Sequence, residues 1–168
     1  VVYCDNFKKT QRKFFMLHYT AVDNTTLELL KGLLAIPYFS NLYLVGGTSL
    51  ALQIGHRKSI DLDLFGPLET DEIAIAEALN TLGKTQLIKN TPNIQIYIVN
   101  GIKVDIVNYH YPWIQAVCKE DQLRLAGKKD IAAMKLAAIT GRGSKKDFID
   151  IYFLLQEFSL QEMLEFYE

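Results

Sequence analysis

The sequence predicts an α+β fold, a mixed central sheet flanked by helices with further helices toward the C-terminal end. Three observations carry that reading. Strand-length apolar runs stand beside segments of helical period, as in Leu42-Tyr43-Leu44-Val45 followed by Ser49-Leu50-Ala51-Leu52-Gln53-Ile54. Asn100-Gly101 lies between two alternating runs, a two-residue hairpin signal that demands an antiparallel pair. From Lys128 onward the strand pattern stops and only helical spacing remains.

Taken in order, Thr25-Thr26-Leu27-Glu28 is a capping-box pattern, and Leu27, Leu30, Leu33 and Leu34 recur at helical spacing until Pro37. The run over residues 42–45 reads as a buried strand that stops at Gly46-Gly47. Two glycines allow positive φ and close backbone approach, and a short helix follows until Gly55. Residues 60–65 form the next strand, with Ile60, Leu62 and Leu64 on its apolar side. Gly66-Pro67 breaks the chain, and Asp71-Glu72 opens a helix with Ile75, Ala78, Leu79 and Leu82 inside, ended by Gly83. Residues 86–88 read as a short strand, and residues 94–99 and 102–107 as the hairpin. Gly141-Arg142-Gly143 ends the helix that begins near Lys128. Ser144 caps the last helix, whose apolar face reads as Phe148, Ile151, Tyr152 and Leu155.

The chain has 168 residues, 49% hydrophobic and 22% charged, the size of one globular domain over residues 1–168. Residues 1–20 are expected to form a loose N-terminal arm and residues 128–168 a C-terminal helical part. A formal net charge of -1 argues against a generic polyanion-coating protein, so any RNA contact has to be local, at the basic run Lys128, Lys129, Arg142, Lys145 and Lys146. Cys4 and Cys118 suit neither a zinc knuckle nor a disulfide scaffold. No apolar stretch approaches the roughly 18 residues of a membrane helix, and no signal-peptide core precedes Met16. The expectation is a cytoplasmic protein with no membrane partner.

The chemistry concentrates around the glycine turn. Free amides at the start of the helix after Gly46-Gly47, with the Thr48 and Ser49 hydroxyls beside them, would face an anion such as a triphosphate. Asp61 and Asp63 are two apart, so on a strand both carboxylates share one face. Such a pair is either a solvated polar face or a divalent-metal site, since a hard-oxygen cation removes the repulsion; the upstream glycine turn favours the metal. Asp105 lies opposite Ile102, Val104 and Ile106 on the later strand. It either converges on the pair as a third carboxylate or stands exposed on a half-buried hairpin. Lys135 sits on a stripe with Ile131, Ala138 and Ile139, and either snorkels to water or binds triphosphate. His56 and Arg57 either contact phosphate or a neighbouring carboxylate, or form a surface ion pair and a packed ring. Asp147 sits at N3 of the last helix, where an acid answers the dipole, and Asp150 is placed to pair with Lys146 one turn back.

Four blocks stand in order over most of residues 42–155: Val45-Gly46-Gly47-Thr48-Ser49-Leu50-Ala51-Leu52, then Gly55-His56-Arg57-Lys58-Ser59-Ile60-Asp61-Leu62-Asp63-Leu64-Phe65, then Lys135-Leu136-Ala137-Ala138-Ile139, then Lys146-Asp147-Phe148-Ile149-Asp150-Ile151-Tyr152. On these blocks the chain resembles the nucleotidyltransferase superfamily, and more closely the abortive-infection AbiEii-type toxins. The resemblance implies a polymerase beta-like nucleotidyltransferase fold, Mg²⁺ or Mn²⁺, and a nucleoside triphosphate as substrate. It implies a tRNA or protein hydroxyl as acceptor, and a toxin–antitoxin or phage-defence setting with a cognate antitoxin. Through it, Gly47 and Ser49 correspond to the phosphate-binding turn, Asp61 and Asp63 to the metal ligands, Lys135 to the triphosphate-binding lysine and Asp147 to a late essential aspartate. Asp105 matches the superfamily's third carboxylate by strand position. Larger members continue into an extended C-terminal helical region. Two rival readings are a non-catalytic nucleotide- or partner-binding module on the same fold, and an Asp-x-Asp glycosyltransferase, which the position of the motif disfavours.

Overall fold

A computed structural model of the chain describes residues 16–69 and 71–168. Most of the expected N-terminal arm lies outside the described residues. Of its last part, Leu17 is buried, the His18 amide donates to the Leu52 carbonyl at 2.7 Å, and Tyr19–Ala21 forms a 3₁₀ turn, so this end is fastened to the body.

The elements run α1 (Asn24–Ala35), β1 (Tyr43–Val45), α2 (Gly46–Ile54), β2 (Leu62–Gly66), α3 (Glu72–Asn80), β3 (Thr85–Asn90), β4 (Ile94–Val99), β5 (Ile102–Asn108), β6 (Cys118–Glu120), β7 (Leu123–Leu125), α4 (Lys128–Gly141), α5 (Lys145–Leu154) and α6 (Leu160–Tyr167). The seven strands form one mixed sheet in the order β3-β4-β5-β2-β1-β7-β6. β2 runs parallel to β5 and β1 parallel to β7, and the other neighbours are antiparallel. The β4–β5 hairpin turns at Asn100 and Gly101, both at positive φ, as its sequence signal requires.

Period-two alternation divides the sheet's side chains between two cores. Leu62 and Leu64 of β2 and Val104 and Ile106 of β5 are buried in a cluster with Leu30, Leu33, Phe39, Leu44 and Ile75. Each such side chain contributes about 1.5–3 kcal/mol by leaving water. A second cluster, on Val45, Leu50, Ile131, Ile151, Leu154 and Met163, joins α2, α4, α5 and α6, and Phe65 packs against it from β2. Asp63 and Asp105 alternate with the first-core residues and so emerge on the side of this second cluster.

Several local expectations change. α1 is capped by Asp23, not by a box at Thr25: one carboxylate takes both the Thr26 amide at 2.9 Å and its hydroxyl at 2.8 Å, a stronger acceptor than a neutral hydroxyl. Ile60 precedes β2 and is exposed. The short strands β6 and β7 and the helix α6 were not anticipated, so α5 is not the last helix. α5 also turns a different face inward. Phe148, Tyr152 and Leu155 are exposed, while Asp147, Asp150, Ile151 and Leu154 are buried. The helix sets Asp147 and Asp150 against the cations of its neighbours and Ile151 and Leu154 in the second cluster.

Candidate functional site

Gly46 begins α2 at φ +66°, a conformation that favours glycine. A side chain there would overlap Asp63 Oδ2, and one at Gly47 would overlap the Arg57 guanidinium. The glycine pair therefore lets a carboxylate and a cation close on the first turn of a helix. Thr48 lines the pocket, but its hydroxyl is committed to the Asp61 carbonyl and lies 2.8 Å from Ser59 Oγ. Ser49 is fully buried and its Oγ accepts from Gln53 Nε2 at 3.1 Å. These two hydroxyls, expected to face an anion, instead fasten the loop before β2 and the body of α2.

Asp63 of β2 is in register with Asp105 of β5 and with Val45 of β1. Burial, then the like charge of Asp105, pushes the Asp63 carboxyl up to about 6; Lys103 acts in the opposite sense, and Asp61 raises it further. Asp105 Oδ2 pairs with Lys103 Nζ at 2.5 Å, while its buried Oδ1 has no hydrogen-bond partner. Asp61 lies just before β2, half-exposed, with Lys146 Nζ 3.8 Å away. Among the described residues no three acidic, histidine or cysteine side chains are grouped as a metal site. Asp63 and Asp105 are together, and Asp61 stands at the rim.

A pocket of about 410 Å³ adjoins the pair, lined by Gly47, Asp61 and Asp63 on one part and by Arg57, Lys135, Arg142, Lys145 and Lys146 on another. Three of its cations, Arg57, Lys135 and Arg142, are held by two buried carboxylates of α5. Asp150 accepts from Arg57 Nε at 2.6 Å and Nη2 at 2.9 Å, lies 2.7 Å from His56 Nε2, and pairs with Lys135 Nζ at 2.7 Å. Asp147 accepts from Lys135 Nζ at 2.9 Å, from Arg142 at 3.0 and 3.1 Å and from Ser144 Oγ at 2.7 Å. Burial alone would raise both carboxyls, yet these donors hold each well below the ordinary carboxylate range.

Lys135 is thus neither a snorkelling side chain nor an unaccompanied cation: it is 5% exposed and shared between two aspartates at the pocket wall. Asp150 pairs with His56, Arg57 and Lys135, not with Lys146, because the inward face of α5 aims it at the loop after α2. Sequence reading missed that role. The signal was the carboxylate spacing itself, since Asp147 and Asp150 share a helix face with Ile151 and Leu154. The basic run divides as well. Arg142, Lys145 and Lys146 line the pocket, whereas Lys128 pairs with Glu157 and Lys129 lies over the Phe166 ring at 5.0 Å.

Residues 28–167 match the family model described as "Nucleotidyl transferase AbiEii toxin, Type IV TA system". The chain belongs to the AbiEii family. An uncharacterized protein of Aquifex aeolicus (strain VF5) is 36% identical to this AbiEii chain over 134 residues, 77% of this chain and 65% of the relative. The chain therefore spans just under two thirds of the length of that curated relative. Among solved structures, a candidate nucleotidyltransferase from H. pylori superposes with a TM-score of 0.63 at 22% identity, over 84% of this chain and 70% of that one. The antibiotic-resistance factor ANT(2'')-Ia superposes at 0.65 and 14% identity, over 86% and 90%. The polyadenylate synthase of Megavirus gives 0.57 and 16%, over 82% and 31%. The mixed seven-stranded sheet with its helices is the nucleotidyltransferase fold in this AbiEii chain. No helix among the described residues is long and apolar enough to cross a membrane.

A divalent cation fits the acidic pair. Two in-register carboxylates, a carboxyl pushed up by burial and then by its neighbour's charge, and one buried oxygen without a donor make a hard-oxygen donor set that suits a cation.

Proposed function

We propose that this chain transfers a nucleoside monophosphate from a nucleoside triphosphate to an acceptor hydroxyl, in a reaction dependent on Mg²⁺ or Mn²⁺. The single observation that carries the reading is the Asp63–Asp105 pair, set in register beside a glycine-opened helix N-terminus and a wall of cations. Asp63 and Asp105, with Asp61 at the rim, would hold the cation, which when bound neutralises charge on the reacting phosphates. Arg57 and Lys135, fixed by Asp150 and Asp147, present positive charge to the triphosphate from a wall that needs no rearrangement. The α2 amides add donors at the same pocket. Asp105, whose Oδ1 has no hydrogen-bond partner, would either hold the cation on the nucleophile's side or take the proton of the attacking hydroxyl. The acceptor's hydroxyl oxygen bonds to the α-phosphorus, the bond from that phosphorus to the α,β-bridging oxygen breaks, and pyrophosphate leaves.

The family description supports a toxin of a type IV toxin–antitoxin system, with an antitoxin as partner; the acceptor in this reading is a tRNA or protein hydroxyl. Arg142, Lys145 and Lys146 at the pocket rim suit an RNA phosphate. The test is incubation with each labelled nucleoside triphosphate, Mg²⁺ and either total tRNA or cell extract, for wild type, Asp63→Asn and Lys135→Ala. Label moves to one acceptor class with wild type and to none with Asp63→Asn. Binding of the triphosphate without transfer to any acceptor would leave the non-catalytic binding module as the better reading.

A further inference from the structure

One cation near the centre is not part of the cationic wall. Lys103 and Asp105 are two apart on β5, so both side chains leave the strand on one face, and Lys103 Nζ lies 2.5 Å from Asp105 Oδ2. β2 and β5 run in register, with Leu62 opposite Val104 and Asp63 opposite Asp105. Carried one residue back, that register sets Lys103 level with Asp61, which lies just before β2. The two strands thus bring three carboxylates and one ammonium to neighbouring positions.

This is not an ordinary surface pair. The Asp105 side chain is 17% exposed against 40% for the lysine, and the charge of Lys103 is also felt at Asp63, where it opposes the effect of the two other carboxylates. Asp105 is the carboxylate that would hold a cation on the nucleophile's side. One of its oxygens already carries an ammonium, so a divalent cation drawn to that carboxylate alone would stand beside a like charge. Asp63 has no ion-pair partner among the described residues and is the carboxylate that a first divalent cation satisfies.

The balance of charge points the same way. One divalent cation and one ammonium match three carboxylates. A second divalent cation would leave the acidic face with a positive excess, offset only by substrate phosphates, and those meet a cationic wall of their own at Arg57 and Lys135. Asp61 has Lys146 Nζ 3.8 Å away besides.

We propose that Lys103 is a built-in substitute for a second metal ion: its ammonium stays on Asp105, and the centre takes one divalent cation where a two-metal clamp takes two. The proposal rests on the nucleotidyl-transfer reading for the presence of that cation. Lys103 is a positioning residue that acts through Asp105. It holds Oδ2 and leaves Oδ1 as the one Asp105 oxygen without a partner.

The test counts bound metal. Wild type, Lys103→Gln and Lys103→Arg are dialysed to equilibrium against Mn²⁺, alone and with the α,β-methylene analogue of each ribonucleoside triphosphate, which cannot be cleaved at that bridge. Bound Mn²⁺ is measured per chain, and electron paramagnetic resonance of the same samples separates an isolated ion from two ions about 3.5–4 Å apart, whose spins couple. Wild type with an analogue holds one uncoupled Mn²⁺ per chain. Lys103→Gln removes the charge at a partly exposed position and takes two, with a coupled spectrum. Lys103→Arg keeps the charge and takes one. None or two Mn²⁺ on wild type with every analogue overturns the proposal, as does a single Mn²⁺ on Lys103→Gln. The transfer reading fails separately, by absence of labelled product from a wild-type chain that binds an analogue and one Mn²⁺.

Discussion

Asp63 and Asp105 face each other across the parallel pair β2–β5, and only one of them has a cation of its own, Lys103 on Asp105. Asp63 consequently keeps its proton up to about pH 6, chiefly through burial and then through its neighbour's charge. A raised carboxyl favours the fold below its ordinary value near 3.8, and that contribution is lost as pH rises through about 6. Cation binding has to displace the same proton. Calorimetric titration with Mn²⁺ or Mg²⁺ is expected to show affinity rising about tenfold per pH unit up to about pH 6 and levelling above it. Asp63→Asn abolishes that binding while raising the melting temperature of the metal-free protein at pH 7.

The α5 aspartates have the opposite sign. Asp147 and Asp150 are held well below the usual carboxylate range, so their contribution is present above about pH 4 and lost as pH falls toward their folded values. Thermal melts are expected to drop steeply below pH 4 in wild type. In Asp150→Asn the curve starts lower at pH 7 and descends less on acidification.

Lys135→Met removes a cation shared by two buried carboxylates, each of which retains one arginine. Breaking a buried pair typically costs about 3–5 kcal/mol. The remaining arginines place this case at the low end, near 3 kcal/mol by urea unfolding. Lys135→Arg restores the charge and most of the stability, but not the position of the ammonium. Transfer activity is expected to stay more than tenfold below wild type, a gap that separates placement from stability.

Gly46→Ala tests the turn. The added methyl meets Asp63 Oδ2, and the backbone is at positive φ, so the change costs about 1 kcal/mol in conformation before any clash is counted. The measurements are cation titration and melting: affinity falls at least tenfold, with a melting decrease of several degrees. Gly141→Ala, where a side chain meets nothing, serves as the control: it leaves cation affinity unchanged and, within α4, does not lower the melting temperature.

What the sequence disclosed was local. Period-two alternation placed Asp63 and Asp105 on one side of their strands, Asn100-Gly101 specified the hairpin that brings β5 back, and Gly46-Gly47 marked the start of α2. The pairing of β2 with β5 was open, because parallel neighbours separated by about forty residues leave no local signature. Asp150 was misread for a related reason. Its partners Arg57 and His56 lie 93 and 94 positions away, while Lys146 was the only cation visible one turn back. The aromatic residues of α5 suggested an apolar face, yet its buried side joins Ile151 and Leu154, in the second cluster, to Asp147 and Asp150, which meet cations of α4 and of the loop after α2. Three-residue strands such as β6 and β7 are too short for alternation to declare them.

The order of synthesis gives the α5 network a temporal meaning. When a ribosome has completed β7, the acidic pair and the glycine turn already exist, but the groups that fix Arg57 and Lys135 have yet to be translated. A nascent chain or a truncated product ending before Asp147 carries the acidic half of the centre with Arg57, Lys135 and Arg142 lacking their α5 carboxylates. Competence to handle a triphosphate therefore waits on the docking of one short helix, made only after β7.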